Sequence, residues 1–540
     1  MEDGFDFIVI GSGIAGAHAA QTLAEQGVQV AMLDVGKTDT HYRNISPRND
    51  FVSLRRNDEE QHHYLLGEDA ESLSWGPTAT GPQLTPARKF SIADVQKWMP
   101  LESDSFAPLE SLAYGGLGNA WGAGSYVYSR NELQQIGLNV SEMETAYQII
   151  ADRIGISGGE GDIRSYATGN IRGLQPAIKV EPLIEAIEKR YENQKKYFND
   201  HGFFIGRPPL AALTSPKEDR EPLEYREMEF YDDHEKAVYR PWITVDKLKK
   251  LSNFIYKANF FVTRFEEQNE GVMVFGINTK DGTPGVFKAK KLLLAGGVLS
   301  TARIVLRSFN KLNHQLPLLC NAYTYIPSLA VRHWKTAVPE RRTALTQMVL
   351  FYDPDKTNSN ASLAAMYTYR SLLFIRLLKE VPLPVGFALS FMKNLQPLII
   401  LSGIHHPEQY GPDKKIWLKP DASQPTGDKL HAVYKLSDNE KIKNQDREKQ
   451  IMKAVRKLGC MPLKKVDPGM GSSLHYAGTL PFSEDPKPLH LRQDGLLHFT
   501  KRIFVADGSG FRYLPAKGIS LSLMANAHRV ALHSLKSGNN

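Results

Sequence analysis

The hexapeptide Gly11-Ser12-Gly13-Ile14-Ala15-Gly16 constrains this chain more than any other feature. It stands between an apolar run, FDFIVIG, and an alanine-rich stretch, AHAAQTLAEQG, that ends at Gly27; a second apolar run, VQVAMLD, follows. Strand, tight turn, helix and strand in this order make the opening of a doubly wound α/β unit. Gly11 permits the turn, Gly13 lets backbone approach a pyrophosphate, and Gly16 lets the helix pack closely on the strand. The first helical residues, Ile14 and Ala15, would turn free N–H groups and the positive end of the helix toward that anion. Asp34 ends the second strand 18 residues after Gly16, where an acidic residue accepts hydrogen bonds from a ribose. An acid at this point argues against a 2′-phosphate. The pattern predicts dinucleotide binding and leaves FAD and NAD both open.

A chain of 540 residues exceeds what one hydrophobic core supports. With 42% hydrophobic and 23% charged residues it is globular, neither disordered nor coiled coil. Two cysteines, Cys320 and Cys460, exclude a disulfide scaffold and a cysteine-rich metal centre. The net charge of +7, from 66 basic and 59 acidic residues, is too dilute for nucleic-acid binding and suits an acidic substrate or an anionic membrane surface. MEDGFDFIVIGSG enters a strand at once, without a signal-peptide pattern. The longest apolar run, Val381–Met392, has twelve residues and two prolines, well short of the ~20 a spanning helix needs. These features predict a cytoplasmic protein.

The organisation expected is a nucleotide-binding domain assembled from both chain ends and interrupted by an α+β substrate domain. Its N-terminal part is taken as 1–180, with long polar loops over 38–110. The first part of the substrate domain is 181–257, and a middle nucleotide-binding part is 258–310, closing in KAKKLLLAGGVLSTARIVLRS around Ala295. The main substrate domain is 311–470, and 471–540 returns to the nucleotide. Helices are expected over 131–155, 181–198 and 437–459, the last with Ile442, Ile451, Val455 and Leu458 on a buried face.

Four segments, LLLAGGVLSTARIVL, RIFVADGSGF, YGGLGNAW and SSLHYAGTL, occur in an order that resembles the glucose–methanol–choline oxidoreductase family. The glycine-dense one, with Trp121, looks most like pyranose oxidase and other sugar oxidoreductases. The resemblance covers 5–36, 112–129, 258–308 and 471–535, and it implies FAD. Asp34 would hold the adenosine ribose and Val262 the adenine through its backbone. Gly115, Gly116 and Asn119, with Trp121, would wrap the pyrophosphate and flavin side. Asp507 and Gly508 would meet the ribityl–pyrophosphate, and Ile519 the flavin pyrimidine. His475, in SSLHYAGT, would be the base that takes a hydroxyl proton while hydride leaves for flavin N5. Ala120 stands where pyranose oxidases carry a flavin-linking histidine, so the FAD is expected to be non-covalent.

At the position where that family places a second His or Asn, the chain has Gly518. Lys517 beside it is the candidate to orient a substrate oxygen or stabilise an alkoxide. The expected activity is oxidation of a sugar or polyol; the apolar, basic middle of the chain would suit a glycosidic or lipid-linked one, and the electron acceptor and oligomeric state are left open. The alternative is an FAD-binding protein without redox turnover, which Gly518 favours and His475 opposes. Residues 370–400 could touch a membrane peripherally on its inner face, form the substrate-domain core, or make a dimer contact. His405 and His406 follow one another on a strand, so they face opposite ways and make a poor metal pair; no metal is expected.

Overall fold

The computed structural model describes residues 2–69, 84–368, 370, 384, 387 and 396–537. Most of the 370–400 segment read as a membrane contact therefore lies outside the described residues. The opening pattern folds as its periodicity predicts: β1 (Glu2–Ile10), α1 (Ile14–Glu25) and β2 (Val30–Leu33), with β1 and β2 parallel. Ile8, Val9 and Ile10 are fully or almost fully buried, each contributing roughly 1.5–3 kcal/mol of burial.

The nucleotide-binding sheet gathers strands from three parts of the chain. Its middle strand, Pro284–Leu294, pairs in parallel with β1 on one side and with Ile503–Val505 on the other, aligning Leu292 with both Ile8 and Ile503. An antiparallel hairpin, Phe260–Gln268 and Gly271–Asn278, extends it. Phe254–Lys257 forms the other edge, parallel to β2. This last strand corrects the expected boundary after 257, because it belongs to the nucleotide-binding sheet. The final helix, Ser520–Lys536, shares a core with α1 in which Ala17, Ala20 and Leu23 meet Ala527, Val530 and Ala531. Small side chains on both helices allow that close approach.

The inserted region centres on a six-stranded antiparallel sheet: 461–462, 323–329, 399–405, 362–367, 348–352 and 203–206. Its strands alternate. Ile326, Ala364, Met366, Ile400 and Ile404 point to one face, where they pack with Leu183, Ile187, Ile451 and Val455 of the helices Pro182–Glu192 and Asp438–Lys457. Tyr323, Tyr325, Leu363, Ala365, Tyr367, Leu401 and His405 point the other way, into a cavity. The fold is an α/β FAD-binding architecture with an inserted substrate-binding region. Two expectations change in detail. Residues 38–110 contain short helices such as Phe51–Asn57, and Ile442 is 58% exposed, outside the buried stripe of its helix. No helix among the described residues is long and apolar enough to cross a membrane.

Candidate functional site: one cavity between the two sheets

One cavity of about 390 Å³ runs from the glycine turn to the face of the antiparallel sheet. At its nucleotide end, Gly11 has φ +92°, and a side chain there would meet the Ala295 carbonyl oxygen at 2.8 Å. A Cβ on Gly16 would lie 1.9 Å from the Gly11 carbonyl oxygen, so Gly16 serves packing and does not line the cavity. A Cβ on Gly13 would meet nothing within 4 Å: the space beside the helix start is open. The helix itself has no side-chain cap and no acidic residue in its first turn. Ile14 and Ala15 border this space, so the unpaired N–H groups of the helix N-terminus are available to an anion.

Ser12, between the first two glycines of the turn, links three elements. Its hydroxyl donates to Asp34 and accepts from the Gly115 N–H at 2.9 Å. The Tyr256 hydroxyl also donates to Asp34, at 3.0 Å. Burial pushes the Asp34 carboxyl up to about 6, against the opposing pull of the Ser12 and Tyr256 bonds. Gly115 and Asn119 do not line the cavity. They shape the loop whose Gly116, Leu117, Gly118, Ala120 and Trp121 do. Asn119 donates to the carbonyls of Tyr114 (2.9 Å) and Gly116 (2.8 Å), and the Trp121 indole donates to the Tyr239 carbonyl at 2.8 Å. Arg240, fully buried and paired with Asp233 at 3.1 Å, donates to the Trp121 carbonyl at 3.1 Å and holds the loop from behind.

Val262, Ala295, Asp507, Gly508 and Ile519 all border the cavity. The Asp507 carboxylate is nevertheless occupied within the chain. It accepts from the Ser509 N–H and hydroxyl (3.0 and 2.6 Å) and from the Thr301 hydroxyl (2.6 Å), which fixes the turn after the Ile503–Val505 strand.

His475 borders the far end. The two-residue strand Tyr476–Ala477 pairs with Leu319–Cys320, which sets Asn321 beside the imidazole. Asn321 Oδ1 lies 3.0 Å from His475 Nδ1. The Asn321 amide nitrogen donates to the carbonyls of His406 (2.8 Å), Pro515 (3.1 Å) and Leu514 (3.3 Å), so Oδ1 is fixed as an acceptor. Nδ1 of His475 therefore carries the proton, and Nε2 keeps its lone pair. Burial pulls this imidazole down to about 4, so it is neutral at physiological pH. Leu474, just before it, sits at φ +62°, a conformation that costs a non-glycine residue roughly 1–2 kcal/mol.

Lys517 departs from its expected role. It is buried, does not line the cavity, and donates to Glu132 at 2.7 Å and to Asn358 Oδ1 at 3.1 Å. Desolvation of its ammonium explains why it is tied to a carboxylate instead of reaching a substrate. Gly518 does border the cavity and brings no side chain to it. His405 and His406 point to opposite faces as the strand period requires: His405 into the cavity, His406 toward Ser362 and Glu448. Ser12, Tyr256, Arg240, Asn321 and His405 were missed as site residues. Only Ser12 had a local signal, its place inside the glycine turn. Glu60, His62 and His63 bring potential ligand atoms within 4.8 Å of one another at the start of the short helix Gln61–Leu65, and none of the three lines the cavity.

Residues 6–44 match the family model described as FAD binding domain. No curated protein matches the sequence. Three solved structures share the fold over 99–100% of this chain and 99% of their own. They are pyridoxine 4-oxidase from Mesorbium loti (14% identity, TM-score 0.61), an FAD-dependent oxidoreductase from Chaetomium thermophilum in complex with a fragment (13%, 0.57), and an R554K variant of formate oxidase from Aspergillus oryzae RIB40 (12%, 0.60). The expected glucose–methanol–choline membership, with pyranose oxidase as nearest relative, is corrected accordingly. The family model that matches is the FAD binding domain, and none of the three structures is described as a sugar oxidoreductase. The chain binds FAD and has the fold of FAD-dependent oxidoreductases. The open cradle at Gly13 and the buried Asp34 fit that cofactor.

Proposed function

We propose that the chain is an FAD-dependent oxidoreductase that oxidises the hydroxyl-bearing carbon of a neutral, largely apolar alcohol. FAD, when bound, supplies a two-electron acceptor for the hydride that leaves that carbon. The residues do the rest. Ile14 and Ala15 N–H groups hold the pyrophosphate, and Asp34 accepts from the ribose. Val262, Ala295, Asp507, Gly508 and Ile519 would meet the cofactor through backbone and apolar contact. His475 Nε2 receives the hydroxyl proton, so the alcohol loses a hydride and a proton and becomes a carbonyl. General-base help of this kind is worth about 10²–10⁴-fold. The observation that carries the reading is the fixed Asn321 acceptor, which leaves His475 Nε2 as a lone pair in the same cavity as the glycine turn.

The substrate class follows from the lining. Tyr126, Tyr323, Tyr325, Tyr367, Leu363 and Leu401 offer broad apolar faces, and no Lys or Arg among the described residues borders the cavity. That supports an uncharged molecule with an apolar or aromatic body over the sugar expected from the sequence, and it gives no site for a carboxylate. A substrate of this kind is a small molecule, in keeping with the name of pyridoxine 4-oxidase. The test is the flavin absorbance of the purified holoprotein under anaerobic conditions. Benzyl alcohol should bleach it and glucose should not; bleaching by glucose alone would restore the sugar reading, and bleaching by neither would remove this one.

A further inference from the structure

The apolar face of the antiparallel sheet continues past the cavity to the edge of the molecule. Along the strand Tyr323–Leu329, the side chains of Tyr323, Tyr325, Pro327 and Leu329 share one face by the period of two. The edge strand Met461–Pro462 sets Met461 opposite Leu329, and the Leu463 N–H donates to the Pro327 carbonyl at 2.9 Å. Opposed residues point to the same face, so Met461, and Leu463 two residues on, carry the apolar surface outward. Both are exposed. The chain then enters a 3₁₀ turn, Val331–His333, in which no residue is buried. This turn lies against the chain just before the edge strand: the Arg332 N–H donates to the Gly459 carbonyl at 3.4 Å, and His333 Nε2 lies 3.3 Å from the Leu458 carbonyl. Val331 is exposed, and Trp334, three residues on and thus above it in such a turn, is 66% exposed.

The same two stretches concentrate the positive charge of the protein. Residues 328–339 and 449–466 hold eight Lys or Arg and no Asp or Glu, whereas the whole chain has a net charge of +7. Lys449 pairs with Asp446 and Lys465 with Glu448. Arg332, Lys335, Lys453, Arg456, Lys457 and Lys464 have no acidic partner among the described residues. The Lys335 ammonium sits over the Trp334 ring, 5.1 Å from its centroid. Glu340, the acid that follows the first stretch, is tied to Arg56 at 3.1 Å.

We propose that this edge docks the protein on an anionic lipid bilayer, with Val331, Trp334, Met461 and Leu463 entering the interface and Arg332, Lys335 and Lys464 meeting the headgroups. Indole rings settle at the boundary between lipid and water, and basic side chains beside them are drawn to acidic lipids. A nucleic acid would use the charges and the indole but has no place for the exposed Val, Met and Leu side chains. A bilayer takes both. The surface lies outside 370–400, the segment the sequence singled out for membrane contact, and it depends neither on His475 nor on the identity of the substrate.

The test is sedimentation of the holoprotein with lipid vesicles. The protein should pellet with phosphatidylcholine and phosphatidylserine in equal parts, stay in solution with phosphatidylcholine alone, and be released by raised salt. Each basic side chain near an acidic membrane is worth about fivefold in binding, so Lys335→Glu combined with Lys464→Glu should weaken it about 25-fold or more. The flavin spectrum and melting temperature of that variant should stay as in the wild type, because both side chains are exposed. Acidic vesicles with brominated acyl chains should quench the tryptophan emission of the wild type and not that of Trp334→Phe. Failure to pellet with the acidic vesicles overturns the proposal. So does pelleting that the double variant leaves unchanged, which would put the contact elsewhere on the molecule. Pelleting without a Trp334-dependent bromine effect would reduce the contact to charge alone and refute the insertion. Displacement of the vesicles by single-stranded DNA at matched phosphate would assign the surface to a nucleic acid instead.

Discussion

The two ends of the cavity are made of different materials. The nucleotide end is mostly backbone. A turn of six residues, a helix start and one carboxylate suffice there, and side chains contribute chiefly by their absence at Gly11, Gly13 and Gly16. The substrate end is mostly side chain. Its wall comes from three strands of the antiparallel sheet, its base from a segment far along the chain, and the orientation of that base from Asn321 on a third element. An anion is recognised by groups every residue carries, so a short local pattern can encode it. A particular alcohol needs chosen side chains brought together by topology.

The comparison predicts unequal responses to substitution. The largest effect belongs to Gly13→Val, which fills the open space at the helix start. The protein should purify colourless with its circular dichroism intact, and a yellow Gly13→Val preparation would place the pyrophosphate elsewhere. Of similar size is the response to acid precipitation. All the FAD should appear in the supernatant, because no lining position of the loop from Gly116 to Gly122 offers a nucleophile to hold it covalently. Flavin left in the pellet would contradict this.

Next comes Lys517→Met, which strips the partner from a buried Glu132. Removing one member of a buried pair typically costs about 3–5 kcal/mol, so thermal unfolding should shift well down. The folded fraction should still show a wild-type flavin spectrum. A normal melting temperature with lost turnover would return Lys517 to the substrate. Smaller still is Asp34→Asn, expected to weaken FAD binding by about tenfold through loss of a charge-assisted bond.

Asp34 also has a pH signature. Its carboxyl titrates at about 6 in the folded apoprotein, above the ordinary 3.8, so the folded state holds an extra proton between those values, and apoprotein stability falls as pH rises through them. Ribose hydroxyls donate to the charged form. FAD affinity should therefore rise between pH 5 and 7 in the wild type and stay flat in Asp34→Asn, which fluorescence titration of FAD would check.

What could be read in the sequence follows the same division. The glycine turn, Asp34 and the parallel strands around them were legible because their signals are local: spacing, a strand period and a helix period within 36 residues. His475 was legible only through resemblance of a short motif. Asn321 was not, because nothing near it distinguishes it, and His405 drew notice only as half of a poor metal pair with His406. Asn321 matters because the Leu319–Cys320 strand pairs with Tyr476–Ala477 across the chain, and His405 because an odd position on its strand faces the cavity. Lys517 misled for a related reason. Its neighbour Gly518 does border the cavity, but the ammonium turns to Glu132, which lies in a helix whose position no adjacent residue announces.

The central claim is that His475 receives the substrate proton in a cavity whose other end holds FAD. The most direct measurement is the anaerobic half-reaction with benzyl alcohol, followed by stopped-flow flavin bleaching for wild type and His475→Ala from pH 4 to 8. A base whose pKa is lowered to about 4 by burial stays deprotonated above it, so the wild-type rate should hold level from pH 8 to about 5 and fall toward 4. His475→Ala should retain FAD and bleach about 10²–10⁴-fold more slowly, without that acid limb. Bleaching of His475→Ala at the wild-type rate, or with the wild-type fall toward pH 4, would show that the proton goes elsewhere.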